Sequence, residues 1–153
     1  RTKRNKDGKT KTLKYEMPAG ATMRIDCPPA CRPMMGDPAI PIWITEGVPK
    51  GDSLASQGLC AIALLGVWLF KGKNELGGVT ISVDLDSIAW NSRQVRIVFD
   101  SDVMEKSSVR QALERLTEII RRRGAAVTAV YLPNGPGGEK VGVDDYLRDH
   151  TVA

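Results

Sequence analysis

From Ile42 onward, short apolar runs alternate with segments of helical period, and this alternation constrains the fold more than any other feature of the chain. Residues 42–45 read as a first strand, followed by a helix over 52–57 that stops at Gly58, a good residue past a helix end. Residues 59–65, 95–99 and 126–132 read as three further strands. Between the last two lies the clearest helix, 108–123. Its Val109, Ala112, Leu113, Leu116, Ile119 and Ile120 fall on one stripe of 3.6-residue period. Ser108 with Gln111 forms a capping-box pattern, and Gly124 ends the helix. Arg121, Arg122 and Arg123 fall where the helix dipole favours cations, and phosphate contact is their second reading. Strands separated by helices make an α/β domain with a central, mostly parallel four-stranded sheet.

Other segments fit around this frame. A length of 153 residues suits one domain. Residues 13–17 and 22–26, joined by Pro18-Ala19-Gly20, read as a β-hairpin. Residues 27–41 hold five prolines and read as a lead-in without regular helix. Between 66 and 90 the pattern is less regular, with a short strand over 79–85. The organisation expected is a basic leader or linker (1–14), a hairpin and proline-rich lead-in (15–41) and the α/β domain proper (42–150).

The net charge of +4 is unevenly placed, because residues 1–14 carry seven basic residues against the acid Asp7, a net +6, leaving the remainder at −2. A basic arm, with Arg4 and Lys6 at its centre, can grip nucleic acid through phosphates, and a solvated linker is the alternative. The chain begins at Arg1 rather than Met, as expected of a piece of a longer protein. The longest apolar stretch, 59–70, is interrupted by Gly66 and is far short of the ~20 residues that span a bilayer. Cys27, Cys31 and Cys60 cannot all pair and lack the spacing of a zinc site, so they read as reduced thiols of a cytoplasmic protein.

The chemistry falls at the strand ends. In a parallel α/β sheet, ligands bind beyond the carboxyl ends of the strands. Glu46 follows the first strand, and Asp100 and Asp102 follow the third. Two residues apart in extended chain, Asp100 and Asp102 can aim at one point. Such carboxylates repel one another unless a cation joins them, and an all-oxygen site suits Mg²⁺ or Mn²⁺. Lys50, near the start of the first helix, is either an exposed lysine or a phosphate contact. Lys140 lies in the glycine-rich stretch after the fourth strand and is a candidate for nucleic-acid contact. Asp144 and Asp145 precede Tyr146-Leu147, where they either open a helix or return an acid to the same crevice.

Ile42-Trp43-Ile44-Thr45-Glu46-Gly47 and Ile97-Val98-Phe99-Asp100-Ser101-Asp102 resemble, in order, the two motifs of the Toprim domain of primases, topoisomerases and certain nucleases. The chain is similar more narrowly to a Toprim-like branch of unknown function in phage and plasmid replication proteins. That similarity rests also on Lys50, Asp52, Gly66-Val67-Trp68 and Gly142-Val143-Asp144-Asp145-Tyr146-Leu147. Pro49 and Gly51 flank Lys50, where relatives of this branch often carry a further Lys. The resemblance implies a Toprim (Rossmann-like) fold, with Glu46 as general acid/base aided by Lys50. It also implies Asp100, Asp102, Glu46 and Asp144 as ligands of Mg²⁺ or Mn²⁺. The implied activity is primase-like nucleotidyl transfer in a replication protein of a mobile element, with nuclease action or non-catalytic nucleic-acid binding as alternatives. DNA or RNA, nucleotides and a helicase or other replication domain are the implied partners.

Two rival motifs carry less. Val98-Phe99-Asp100-Ser101-Asp102-Val103 also resembles the nucleophile motif of haloacid-dehalogenase phosphatases, but too little chain follows it to complete that sheet. Gly8-Lys9-Thr10 lacks the glycine-rich loop of a nucleotide-binding P-loop. His150 reads as a surface residue, and Trp43, Trp68 and Trp90 as core or core edge.

Overall fold

A computed structural model describes residues 2–4, 10–12, 24–73 and 76–151. Four strands, β1 (Ile42–Glu46), β2 (Cys60–Leu64), β3 (Gln94–Val98) and β4 (Ala126–Val130), form one sheet in the order β2-β1-β3-β4. Every neighbouring pair is parallel, with Ile44 opposite Ile62 on one side and Ile97 on the other. This is the expected α/β, Rossmann-like arrangement, with each strand within a residue or two of its predicted place.

The sequence explains the parallel pairing. All five residues of β2, Cys-Ala-Ile-Ala-Leu, are buried, as are the first four of β1, so both faces of these strands are covered. Helix α1 (Val48–Ser56) joins β1 to β2, and α2 (Ser107–Arg122) joins β3 to β4. The two crossovers run in opposite directions along the sheet, and right-handed connections then place α1 and α2 on opposite faces. A third helix, α3 (Val143–Asp149), packs on α1. The stripe of α2 is buried as predicted, with Ala112, Leu113, Leu116 and Ile120 in the core.

Local start signals are corrected in places. Helix α1 begins at Val48 with Pro49 in its first turn, where the missing N–H costs nothing, rather than at 52. Helix α2 begins at Ser107 after Lys106, and no side chain caps it, so the Ser108/Gln111 box does not form. The short strand of the insert spans Val79–Ile81 and pairs antiparallel with Lys71–Lys73, while Val83–Ser87 turns into a 3₁₀ helix started by the Ser82 hydroxyl. The lead-in carries a 3₁₀ helix, Pro29–Met34. Thr2–Arg4 pairs with Thr10–Thr12 as a separate antiparallel ribbon. The hairpin expected over 13–17 and 22–26 lies largely outside the described residues; within them Asp26 bridges Ala63 on β2.

The amino end of the sheet is held by Arg93, which is fully buried. Its guanidinium donates to the backbone carbonyls of Met34, Met35, Ile40 and Ala89 at 2.8 to 3.2 Å. Four carbonyl dipoles thus satisfy a buried cation and fasten the proline-rich lead-in beneath β3. Beside it, burial pushes the Cys60 thiol up to about 11 against the pull of Arg93, so the thiol is inert at neutral pH. Cys27, Cys31 and Cys60 are all free thiols. Trp43 and Trp90 are buried and Trp68 packs at the core edge, as expected.

Candidate functional site

Strand order reverses between β1 and β3, and that switch point is where a doubly wound sheet opens a crevice at its carboxyl end. Glu46 is the last residue of β1, and Asp100 lies just past the end of β3. Gly47 follows with φ of 90°, a conformation that a side chain would oppose, and its N–H donates to Leu64 O at 2.7 Å. The chain therefore turns at once into α1, and Lys50 stands in its first turn above the crevice.

Asp100 is the centre of the site. It is only 5% exposed, yet it sits between two ammonium groups: Lys50 Nζ faces Oδ1, and Lys140 Nζ lies 2.5 Å from Oδ2. Burial pushes the Asp100 carboxyl up, but the hydrogen bonds and charges of Lys140 and Lys50 outweigh it and hold the group below its ordinary value. Lys140 in turn is raised, first by its hydrogen bond to Asp100, and further by the charges of Asp100, Asp102 and Glu46. The basic residue thus sits in the field of all three acids picked out from the sequence.

Lys140 reaches the crevice on a strap. Gly135 N–H donates to Glu139 O at 2.9 Å and Gly138 N–H to Gly135 O at 2.8 Å, so 135–139 forms a turn closed on itself. Beyond it, Val141 is fixed to the chain just after Asp100. Ser101 N–H donates to Val141 O at 2.9 Å, and Val141 N–H donates to Ser101 Oγ at 3.0 Å. Helix α3 starts after Gly142, whose N–H donates to Asp145 Oδ2 at 3.3 Å. A carbon placed on Gly142 would stand 2.5 Å from Asp144 Oδ1, 2.8 Å from Lys50 Cε and 3.3 Å from Asp100 Oδ1. Glycine is what lets α1, α3 and the end of β3 meet here. Asp144 and Asp145 both lie in the first turn of α3, and Asp144 also borders the crevice, so both sequence readings of this residue apply.

Asp102 departs from expectation. The chain is extended at Asp100 but enters a 3₁₀ helix, Ser101–Met104, so the two carboxylates no longer project side by side. Asp102 instead pairs with Lys106 one turn on. Among the described residues no three His, Cys, Asp or Glu side chains gather at one ligating position. The donors are nevertheless of the kind a hard cation takes: they are all oxygen, and Asp144 Oδ1 is buried with no hydrogen-bond partner among the described residues. A cation at Asp100 would have to displace an ammonium.

Other candidates lie elsewhere. Arg4 belongs to the separate ribbon, and Lys6 is outside the described residues. His150 is exposed and stacks on Tyr146 with ring centroids 4.1 Å apart. Arg121 donates to Val127 O on β4 at 3.0 Å and Arg123 pairs with Asp86 of the insert at 2.7 Å, so these two arginines tie α2 to neighbouring segments. Sequence reasoning missed Ser101 and Lys106. Lys106 had a signal, four residues after Asp102 at a helix start; Ser101 had none, since its partner is 40 residues away.

Comparison with known proteins places this geometry in a family. Residues 32–153 match the family model described as "Domain of unknown function (DUF3854)". A curated relative, the uncharacterized protein SYNPCC7002_B0001 of Picosynechococcus sp. (strain ATCC 27264 / PCC 7002 / PR-6), is 29% identical over 126 residues. The alignment covers 76% of this chain but only 12% of that protein's length. No solved structure matches. The family model spans the sheet, the crevice with Glu46, Lys50 and Asp100, and the strap with Lys140, and the chain therefore belongs to the DUF3854 family.

Proposed function

We propose that this domain carries out Mg²⁺-dependent phosphoryl transfer on nucleic acid, primase-like in character, as part of a longer replication protein. The observation that carries the reading is the placing of Glu46 and Asp100 at the carboxyl ends of adjacent parallel strands, with Lys50 and Lys140 converging on Asp100. Acids alone would suit a metal and lysines alone a phosphate. Both together, at the switch point of the sheet, suit a metal held against a phosphate.

In this reading Asp100, Glu46 and Asp144 would hold Mg²⁺ or Mn²⁺, joined by Asp102 once it leaves Lys106, and the metal would neutralise phosphate charge and orient the reacting oxygens. Glu46, part-exposed at the crevice lip, moves the proton of the attacking or leaving hydroxyl. Lys50, held at the start of α1, steadies a phosphate oxygen. The narrower resemblance, to a Toprim-like branch in phage and plasmid replication proteins, is the reason for ranking primer synthesis ahead of strand cleavage. One observation favours a second reading, a nucleic-acid-binding module without turnover: each of Asp100 and Asp102 is already paired with lysine.

The test is calorimetric titration with Mg²⁺ and Mn²⁺ of the wild type and of the Asp100→Ala, Asp102→Ala double variant, followed by primer-synthesis and nuclease assays. Binding by the wild type that the double variant loses, with turnover lowered roughly 10²- to 10⁴-fold by Glu46→Gln, supports catalysis. Oligonucleotide binding without cation binding or turnover leaves the binding module.

A further inference from the structure

Two ammonium groups on one buried carboxylate are more than that carboxylate needs, and the two lysines are not equivalent. Lys50 is 19% exposed and rooted in α1, whereas Lys140 is 51% exposed and sits on the strap. Lys140 Nζ is close to where a cation on Asp100 Oδ2 would sit, since it supplies positive charge 2.5 Å from that oxygen.

We infer that Lys140 is the phosphate-binding group of the site, kept on Asp100 until a divalent cation displaces it, so that cation and polyanion bind in a coupled order. This rests on the phosphoryl-transfer reading and adds to it a residue and a sequence of events. A lysine and a divalent cation cannot both occupy Asp100 Oδ2, because like charges would stand within about 3 Å of each other. Once displaced, the ammonium stays protonated, and the double tie of Val141 to Ser101 holds its root beside the crevice. A phosphate bound to the cation would bring a further anion within the ammonium's reach, beside Asp102 and Glu46, whose charges already act on it. Gly135, Gly137 and Gly138 give the strap freedom to adjust.

The same lysine therefore opposes cation binding and favours polyanion binding, which gives a signature of opposite signs. Calorimetry with Mn²⁺ should show Lys140→Met binding the cation roughly five- to tenfold more tightly than wild type. Titration with short single-stranded DNA in saturating Mn²⁺ should show weaker binding by the same variant. Its slope of log affinity against log salt should be smaller by about 0.7. Without Mn²⁺ the variant and wild type should bind DNA alike. Lys140→Arg keeps the charge and should follow wild type in both titrations.

Unchanged or weakened Mn²⁺ binding by Lys140→Met overturns the inference, as does tightening in Lys140→Arg or an unchanged salt slope. If the wild type binds Mn²⁺ and Asp100→Asn does not, those outcomes leave the phosphoryl-transfer reading standing and remove only the role of Lys140. If the wild type binds no divalent cation even with DNA present, both fall together.

Discussion

The two ends of β3 each bury a charge, and they handle it in opposite ways. At the amino end Arg93 is wholly enclosed and satisfied by backbone carbonyls, which are fixed by the fold. At the carboxyl end Asp100 is almost as buried but is satisfied by the ends of two lysine side chains. A buried charge held by backbone fastens the architecture, because nothing can replace its partners. A buried charge held by long side chains is exchangeable, since a competing cation can take the place of an ammonium.

The sharpest way to break this comparison is at the closed end. Arg93→Met should lower unfolding free energy by roughly 3–5 kcal/mol, because several carbonyls lose a charged donor within a packed interior. Urea denaturation measures it, and a loss below about 1 kcal/mol would show that the lead-in is held by other contacts. At the open end, Asp100→Asn should abolish the divalent binding proposed for the site while changing stability by less than Arg93→Met does. A stability loss as large as that of Arg93→Met would make Asp100 a structural residue instead.

Acidity separates the ends further. The folded-state value of Asp100 lies below its ordinary 3.8, so its stabilising contribution is fully present above that value and is lost as pH falls through the lower one. Lys140 is raised above its ordinary 10.5, so its contribution is fully present below 10.5 and is lost as pH rises beyond that. The stability difference between wild type and Asp100→Asn should therefore be flat from about pH 5 to pH 9 and shrink in acid below about pH 4. The smallest effect is a surface control: Arg122→Ala removes an exposed pair with Glu118 and should cost no more than about 0.5 kcal/mol in the same denaturation assay.

Much of the scaffold was legible because periodicity is a local property. The apolar stripe of 109–120 and the four apolar runs located α2 and all four strands to within a residue or two. Helix starts were less legible, since Lys106 precedes α2 without capping it and Pro49 opens α1 where a proline usually suggests a break. Among site residues, Glu46, Lys50, Asp100 and Lys140 were located by their positions at strand ends or after them. The partnership of Asp102 was not, because the i, i+2 argument assumed extended chain and the backbone turns into a 3₁₀ helix instead. Arg93 carried no signal of its burial: its carbonyl partners in the lead-in lie more than 50 residues away in sequence.

By itself, the sequence determined the α/β class, the parallel sheet and the placing of acids at the carboxyl ends of β1 and β3. These follow from hydrophobic period and chain direction, which are written residue by residue. Tertiary structure decided which charges meet. Strand order brought Glu46 beside Asp100, the packing of α3 on α1 brought Asp144 and Gly142 to Lys50, and the Ser101–Val141 tie brought Lys140 to Asp100. Those pairings depend on distances between segments far apart in the chain, and only the folded backbone sets such distances.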